Sequence, residues 1–279
     1  MKVAISMHSL HRQFMQGEMC SIDFLKHASR LCVKGVEVAD LYLPTDDEDL
    51  AAIQSKLQET GLAVACYGIE WVPNGKNERM RSGLKLAQQL GAGCIRILGN
   101  TSKHNLTGTE MENMVLRLLD SLLPEIEGKD LVLCFENQSN PDFPSERLTR
   151  LLDKIKSPQV KVCLNLANSV LAGEDPQVAL DLLQPHIGYV LASDVRVDER
   201  AEKKNSPLVG AVFGLGLVPV DILLERLNAQ DYQGWLTLEF TGLEEAFFGI
   251  EASLKNVHQL LYEFANKGVS ASGEAWPTV

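Results

Sequence analysis

Short runs of apolar and β-branched residues alternate along the chain with longer stretches in which apolar residues recur every three or four positions. The first pattern is typical of buried strands and the second of amphipathic helices. Helical stretches separate the strands, and a last helix is predicted from about residue 245 to 265. The eight predicted strands are Val3–Met7, Gly35–Ala39, Leu62–Tyr67, Cys94–Leu98, Leu131–Glu136, Val160–Asn165, Gly188–Ser193 and Trp235–Phe240.

Eight successive strand–helix units predict an α/β fold, a single (β/α)8 TIM barrel. A chain of 279 residues fits the size of about 250 residues that is typical of this fold. A doubly wound open sheet is the alternative, but no glycine-rich phosphate loop follows the first strand to support it. The barrel is expected to span residues 1–266, and residues 267–279 are expected to form a flexible tail.

The period of two along a strand separates the side chains inside the barrel from those that face the helices. If the bulkier apolar set faces the helices, the inward set contains several polar residues near the strand ends. Active sites of such barrels lie at the carboxyl ends of the strands, so Glu136 and Glu239 form a candidate acid/base pair there. The predicted inward set is Glu37, Cys94, Arg96, Val132, Cys134, Glu136, Cys163, Asn165, Tyr189, Leu191, Trp235, Thr237 and Glu239.

The sixth strand runs into two asparagines, Asn165 and Asn168, in the stretch KVCLNLANSV. Neither amide can act as an acid or a base near neutral pH. An amide oxygen is also a weaker ligand for most metals than a carboxylate or an imidazole. These residues therefore indicate hydrogen bonding at this strand end.

Charge and composition limit the classes of partner that this protein is expected to bind. The net charge of −11, with Lys203-Lys204 as the densest basic run, disfavours nucleic acid and anionic membranes. The sequence contains no apolar run of the roughly 20 residues that a membrane span needs, and a cytoplasmic protein is expected. Six cysteines without any CxxC pair are interpreted as reduced thiols.

Several segments, in this order and spacing, resemble one family over nearly the whole chain: GVEV, IRILGN, CFEN, LASD, FGLGLVPVDILLERL and YQGWLTLEF. The chain resembles the xylose-isomerase-like barrel superfamily of sugar phosphate isomerases and epimerases. Members of that family hold one divalent metal through Glu, Asp, His and Glu at four strand ends. By resemblance, Glu136 and Glu239 match the first and last ligands.

The two middle ligands do not match. Asn165 stands where the family has aspartate, and Leu191 stands where it has histidine, three residues before Asp194. Asn168 stands where many members carry a substrate-contacting His or Asn. The resemblance therefore implies a degenerate metal site that binds Mn²⁺, Zn²⁺ or Mg²⁺ weakly or not at all.

The resemblance implies a sugar or sugar-phosphate isomerase or epimerase. Glu136 and Glu239 would transfer a proton next to a carbonyl group, with a metal or the amides of Asn165 and Asn168 polarising its oxygen. The alternative is an inactive barrel that binds a sugar-like ligand or a protein partner. A DNA-repair enzyme of the endonuclease IV type is disfavoured by the few histidines and the acidic charge. Homo-oligomerisation is left open.

Other candidates each have a structural alternative. Both glutamates could instead form buried ion pairs with Arg96 or Lys161. His8 and His104 could be hydrogen-bonding residues at the surface rather than ligands. Asp194 is interpreted as a residue that caps the turn after the seventh strand. The charged run VDERAEKKNSP fits either a lid or a solvated loop. The candidate substrate contacts beside the asparagines are Arg96, Glu37, Glu70, Trp71 and Arg196.

Overall fold

The computed structural model describes residues 1–44, 47–71, 77–99, 106–198 and 207–272, without the side chains of residues 47 and 267–272. His104 and most of the charged run after the seventh predicted strand lie outside these residues. Over the described chain, no helix combines the length and the apolarity that crossing a membrane requires.

Eight parallel strands close into a barrel, as predicted. Going round it, the order is β1, β10, β7, β6, β5, β4, β3 and β2, so the last barrel strand pairs with the first. The strands are β1 (Lys2–Ser6), β2 (Gly35–Ala39), β3 (Ala63–Trp71), β4 (Cys94–Gly99), β5 (Val132–Glu136), β6 (Val160–Leu164), β7 (Ile187–Ala192) and β10 (Trp235–Leu238).

Helices pack around the barrel between successive strands. Thr107 begins α5 with a capping box, in which its hydroxyl accepts from the Glu110 amide and the Glu110 carboxylate accepts from the Thr107 amide. The helices are α1 (His11–Met15), α2 (Ser21–Ala28), α3 (Asp47–Thr60), α4 (Glu78–Gln89), α5 (Gly108–Ile126), α6 (Ser145–Ile155), α7 (Leu166–Leu171), α8 (Pro176–Leu183), α9 (Val220–Ala229) and α10 (Ala246–Ser272).

The last helix extends beyond its predicted end. It was expected to stop near residue 265, but α10 continues to Ser272. Lys267 and Gly268 are residue types typical of a helix end, but residues 267–272 carry no proline, so the helix can continue through them. The barrel span of residues 1–266 and the flexible tail from residue 267 stay predictions. Residues 273–279 lie outside the described residues.

The period-of-two prediction for the barrel interior is confirmed. A small cluster inside the barrel is separate from the large core between the strands and the helices. Its side chains become bulkier on the seventh strand, where Tyr189 and Leu191 fill the space that the four cysteines leave. The buried members are Ala4, Ala65, Cys66, Cys94, Cys134, Cys163, Tyr189 and Leu191. All six cysteines are free, as expected.

A two-stranded antiparallel hairpin, β8 (Asp194–Val197) and β9 (Leu208–Ala211), follows β7 and was not predicted. Asp194 binds the loop behind it, since its carboxylate accepts hydrogen bonds from the backbone amides of Val195, Gly214, Gly216 and Val218. Gly214 has φ of +85°, a conformation that glycine adopts without strain. These contacts agree with the turn-capping role that the sequence favoured for Asp194.

Candidate active site

A buried arginine lies at the centre of the candidate site, inside the carboxyl end of the barrel. Arg96 projects inward from β4 and is 2% exposed. Its Nη1 lies 2.7 Å from Glu37 Oε1 and 2.6 Å from Glu239 Oε2, and its Nε lies 3.0 Å from Glu136 Oε2. One guanidinium group thus joins carboxylates from β2, from β5 and from the end of β10.

The three carboxylates differ in their remaining partners. Ser6 donates its hydroxyl to Glu37 Oε1 at 2.9 Å and approaches Glu239 Oε2 at 3.4 Å. Glu37 Oε2 is buried without a hydrogen-bond partner among the described residues. Glu37 is fully buried, whereas Glu136 and Glu239 remain 7% and 9% exposed. Glu136 and Glu239 are therefore the less enclosed members of this cluster.

The two asparagines hold one carboxylate oxygen. Asn165 Nδ2 and Asn168 Nδ2 donate to Glu136 Oε1 at 2.9 and 3.0 Å. Asn168 Nδ2 also donates to the Asn137 carbonyl oxygen at 2.8 Å, which accounts for both of its N–H groups. An aspartate at either position would set two carboxylates against each other, whereas an amide supplies a donor. The asparagines therefore orient Glu136.

The position of Asn165 follows from its local structure. It directly follows β6 and is the N-cap of α7, where its side chain accepts from the Asn168 backbone amide. Asn137 fixes the same turn, because its side chain accepts from the Asn165 amide at 2.7 Å and donates to the Asn165 carbonyl at 2.9 Å. Ser193 donates its hydroxyl to Asn165 Oδ1 at 2.7 Å. The sequence indicated the amides but not this supporting network.

Burial and the shared guanidinium drive the carboxyl pKa values apart. Burial raises the pKa of Glu136 and of Glu37, and in each case repulsion from Glu239 adds to this against the attraction of Arg96. Burial also acts to raise the pKa of Glu239, but the positive charge of Arg96 outweighs it and lowers that pKa. Neighbouring acids whose pKa values diverge are typical of an acid/base pair.

A cavity of about 450 Å³ opens above this cluster. Glu136 and Asn168 form part of its wall, together with Glu70, Asp40, His8 and His11. This volume lies within the range of small-molecule sites. The described wall is acidic and hydrogen-bonding in character, which suits a polyhydroxylated ligand.

Several predicted site residues lie elsewhere. Glu37 and Arg96 are buried beneath the cavity and form an ion pair with each other. Arg96 therefore acts as a counter-ion inside the barrel. Trp71 is 5% exposed and packs in the hydrophobic core. Arg196 lies on β8 and pairs with Glu244 at 3.1 Å. Leu191 packs in the interior cluster.

His8 was expected to be a hydrogen-bonding surface residue near the rim, and it is half-buried and hydrogen-bonded there. It follows β1 in a short 3₁₀ helix, Met7–Leu10, and its ring lines the cavity. Its Nδ1 lies 3.0 Å from the Tyr42 hydroxyl, which in turn lies 2.8 Å from His11 Nδ1. Its position just after the carboxyl end of the first barrel strand was the one sequence signal for a site residue. A lone histidine at such a position can equally be a surface residue.

Comparison with known proteins gives a consistent match. A family model described as xylose isomerase-like TIM barrel matches residues 25–260. A "Putative hydroxypyruvate isomerase" from Streptomyces coelicolor is 21% identical over 251 residues, which cover 78% of this chain and 86% of the relative. A 3-oxo-isoapionate decarboxylase from Pectobacterium atrosepticum is 25% identical over 148 residues, which cover 53% of this chain. The match spans about half the length of that relative, 52%.

Solved structures share the fold at low sequence identity. D-psicose 3-epimerase, solved with D-fructose, superposes with a TM-score of 0.65 at 14% identity, covering 91% of this chain and 90% of its own. The IOLI protein, solved with a bound zinc atom, superposes with a TM-score of 0.70 at 13% identity, covering 94% and 99%. At these identities the likeness establishes the barrel.

The residues present here do not fit a divalent metal like the one that members of this family commonly bind. The guanidinium of Arg96 contacts both Glu136 and Glu239, so a cation already lies between the two carboxylates that match ligands. Asn165 presents an N–H donor to Glu136, and Leu191 supplies no donor atom. No group of three or more potential ligand side chains is arranged around a metal position in the described part of the chain.

We expect the purified protein to bind Mn²⁺ or Zn²⁺ far more weakly than a variant that restores the family ligands. Asn165→Asp with Leu191→His should bind these ions more tightly than the parent, and each single variant should gain much less. Adding Arg96→Ala should strengthen binding again, because the guanidinium repels a divalent ion at this position. Calorimetric titration of the parent, both single variants, the double and the triple variant measures this. Stoichiometric binding by the parent that Glu136→Gln and Glu239→Gln each weaken would contradict the prediction.

Proposed function

Because this chain belongs to the xylose isomerase-like TIM barrel family, we propose that it is a sugar isomerase or epimerase that moves a proton on the carbon next to a carbonyl group. The observation that carries this proposal is the pair of carboxyl groups, Glu136 and Glu239, that Arg96 joins at the carboxyl end of the barrel. Glu136 lines a cavity of about 450 Å³, a volume that suits a small polyhydroxylated ligand. The hydroxypyruvate isomerase relative and the ketose epimerase neighbour support this substrate class.

Glu239 is proposed as the base. Its pKa is lowered by Arg96 against burial, so the group is ionised and can accept a proton from the carbon next to the carbonyl. Glu136, whose pKa is raised by burial, is proposed as the acid that returns a proton to the same or the neighbouring carbon. Return to the same carbon gives epimerisation, and return to the neighbouring carbon gives isomerisation.

Arg96 gives the pair a fixed geometry. Its contacts of 2.6 Å to Glu239 and 3.0 Å to Glu136 come from two nitrogens of one planar group, so the two carboxyl groups have a defined separation and orientation. The two asparagine amides fix Glu136 from the other side. A preorganised pair loses little entropy when the substrate binds.

Deuterium incorporation from solvent tests the proposal. The protein would be incubated in D₂O with hydroxypyruvate, D-fructose, D-psicose and phosphorylated ketoses, and exchange next to the carbonyl would be followed by NMR. We expect protein-dependent exchange with at least one unphosphorylated or phosphorylated member of this panel. Exchange no faster than in protein-free controls throughout the panel would contradict the proposed function.

An inactive barrel that binds a sugar-like ligand is the second candidate, and the ion pairs of Arg96 favour it. A guanidinium that already satisfies both glutamates makes each a weaker base than a free carboxylate in the same position. This candidate predicts binding of a panel member in calorimetry without any deuterium exchange. Exchange at a rate that depends on Glu136 or Glu239 would exclude it.

A further inference from the structure

Proton transfer next to a carbonyl needs a donor for the carbonyl oxygen, because negative charge develops there as the proton leaves. The amide of Asn168 cannot supply it while both of its N–H groups donate to Glu136 and to the Asn137 carbonyl. Asn165 donates one of its two N–H groups to Glu136, and Arg96 donates to all three carboxylates. Both residues orient the acid/base pair, so a donor to the carbonyl oxygen is expected outside this cluster.

His8 has a ring nitrogen without a hydrogen-bond partner. Its Nε2 is buried and has no hydrogen-bond partner among the described residues, although the ring lines the same cavity as Glu136. A buried polar nitrogen without a partner is costly unless a ligand completes it. Tyr42 fixes the ring through Nδ1 and is itself stacked on Phe14, with centroids 4.5 Å apart.

The hydrogen-bond chain favours one tautomer. Burial lowers the pKa of His8, against the opposing charge of Glu239, so the imidazole is neutral and carries one ring proton. Because Nδ1 lies 3.0 Å from the Tyr42 hydroxyl, which can donate to it, the ring proton is assigned to Nε2. Nδ1 then accepts from the Tyr42 hydroxyl, and the Tyr42 oxygen accepts from His11 Nδ1–H.

We propose that His8 Nε2–H is the hydrogen-bond donor to the substrate's carbonyl oxygen, and that Tyr42 and His11 connect it to solvent. This inference rests on the proposed function and assigns to His8 the polarising role that a metal fills elsewhere in the family. His8 is then a catalytic residue, and Tyr42 and His11 are positioning residues. His11 is exposed and also lines the cavity, so solvent reaches the outer end of this hydrogen-bond chain.

Each group in this hydrogen-bond chain that gives up a proton also receives one. When an enediolate oxygen takes the proton from His8 Nε2, Nδ1 of the same ring takes the proton of the Tyr42 hydroxyl. The Tyr42 oxygen takes the proton from His11 Nδ1, and water protonates His11 at Nε2. One proton thus passes from solvent to the substrate oxygen, and each ring remains neutral. The reverse sequence returns the proton when the carbonyl group forms again.

Two substitutions at His8 separate a catalytic role from a structural one. In His8→Asn the side-chain oxygen can still accept from Tyr42 but no donor reaches the cavity, and we expect kcat for deuterium exchange to fall about 100-fold with little change in KM. His8→Gln can place an amide N–H near the position of Nε2 and should retain more activity than His8→Asn. His27→Asn is the matched control, because His27 also has a buried Nε2 without a partner but packs on Phe247.

The hydrogen-bond chain from His8 through Tyr42 to His11 can be tested separately. In protein labelled with ¹⁵N-histidine, His8 should show a protonated Nε2 and an unprotonated Nδ1, and Tyr42→Phe should reduce that preference and lower kcat. If the parent shows no exchange with any member of the panel, the proposed function fails and this inference fails with it. If the parent exchanges while His8→Asn retains full activity, or if the label shows a proton on Nδ1, only the inference about His8 is overturned.

Discussion

Replacing Arg96 with methionine is expected to cost about 3–5 kcal/mol of folding free energy at neutral pH, because breaking a buried ion pair leaves an uncompensated buried charge. Here the loss would leave the three carboxylates of Glu37, Glu136 and Glu239 together without a cation. Methionine has a similar length, so loss of packing adds little. Urea unfolding of both proteins measures the difference.

The cost should shrink as the pH falls. Without Arg96, burial and mutual repulsion raise the pKa values of the carboxyl groups in the folded state above those in the unfolded state. A raised carboxyl pKa destabilises the fold above the unfolded pKa, and protonation relieves this as the pH falls through the folded pKa. The difference between parent and Arg96→Met should therefore be smaller near pH 5 than near pH 7.

Arg150→Met is the matched control for this substitution. Arg150 pairs with Glu146 on the exposed face of α6, with both side chains more than half exposed. Its loss should change the free energy of unfolding by less than about 1 kcal/mol. Equal effects of the two substitutions would show that Arg96 is not the counter-ion of a buried acidic cluster.

Glu136→Gln and Glu239→Gln should each lower the rate of deuterium exchange by about 10²–10⁴-fold, the usual contribution of general acid–base catalysis. Both variants should fold, because each puts a neutral side chain of the same shape in place of one of three carboxyl groups that face a single guanidinium. Circular dichroism and thermal unfolding would verify the fold. Glu244→Gln, which removes the partner of Arg196 outside the cluster, is the control and should exchange at the parental rate.

The pH profile of exchange should be bell-shaped. Activity requires ionised Glu239 and is lost as the pH falls through its lowered pKa. It also requires protonated Glu136 and is lost as the pH rises through its raised pKa. Because the two groups are coupled through Arg96, the limbs report macroscopic values of the pair. Retained exchange in both glutamine variants would place the chemistry elsewhere.

The barrel could be predicted because strand and helix periods repeat regularly and each strand has one side that packs inside. The same period identified Glu136, Glu239 and Arg96 as inward residues near one end. It could not show that Arg96 contacts three carboxylates from different strands, since such contacts depend on the register between strands. The resemblance indicated the missing ligands at Asn165 and Leu191, and the structure adds what Asn165 does instead.

The parts that sequence reasoning missed depend on contacts between distant segments. The position of His8 in the cavity is set by Tyr42, 34 residues away, and no local pattern encodes that distance. The hairpin of β8 and β9 forms across a charged run that has no strand pattern of its own. Trp71 looked available for a ligand because it follows a strand end, but β3 extends through it and buries it.

The most direct test of a metal-independent site is deuterium exchange by protein stripped of metal with a chelator, using the panel member that exchanges fastest with untreated protein. The guanidinium of Arg96 lies between Glu136 and Glu239, the two carboxylates that by resemblance match metal ligands. Exchange should therefore continue at the same rate after stripping and be unchanged by added Mn²⁺. Exchange that disappears with the chelator and returns with Mn²⁺ would contradict a metal-independent site.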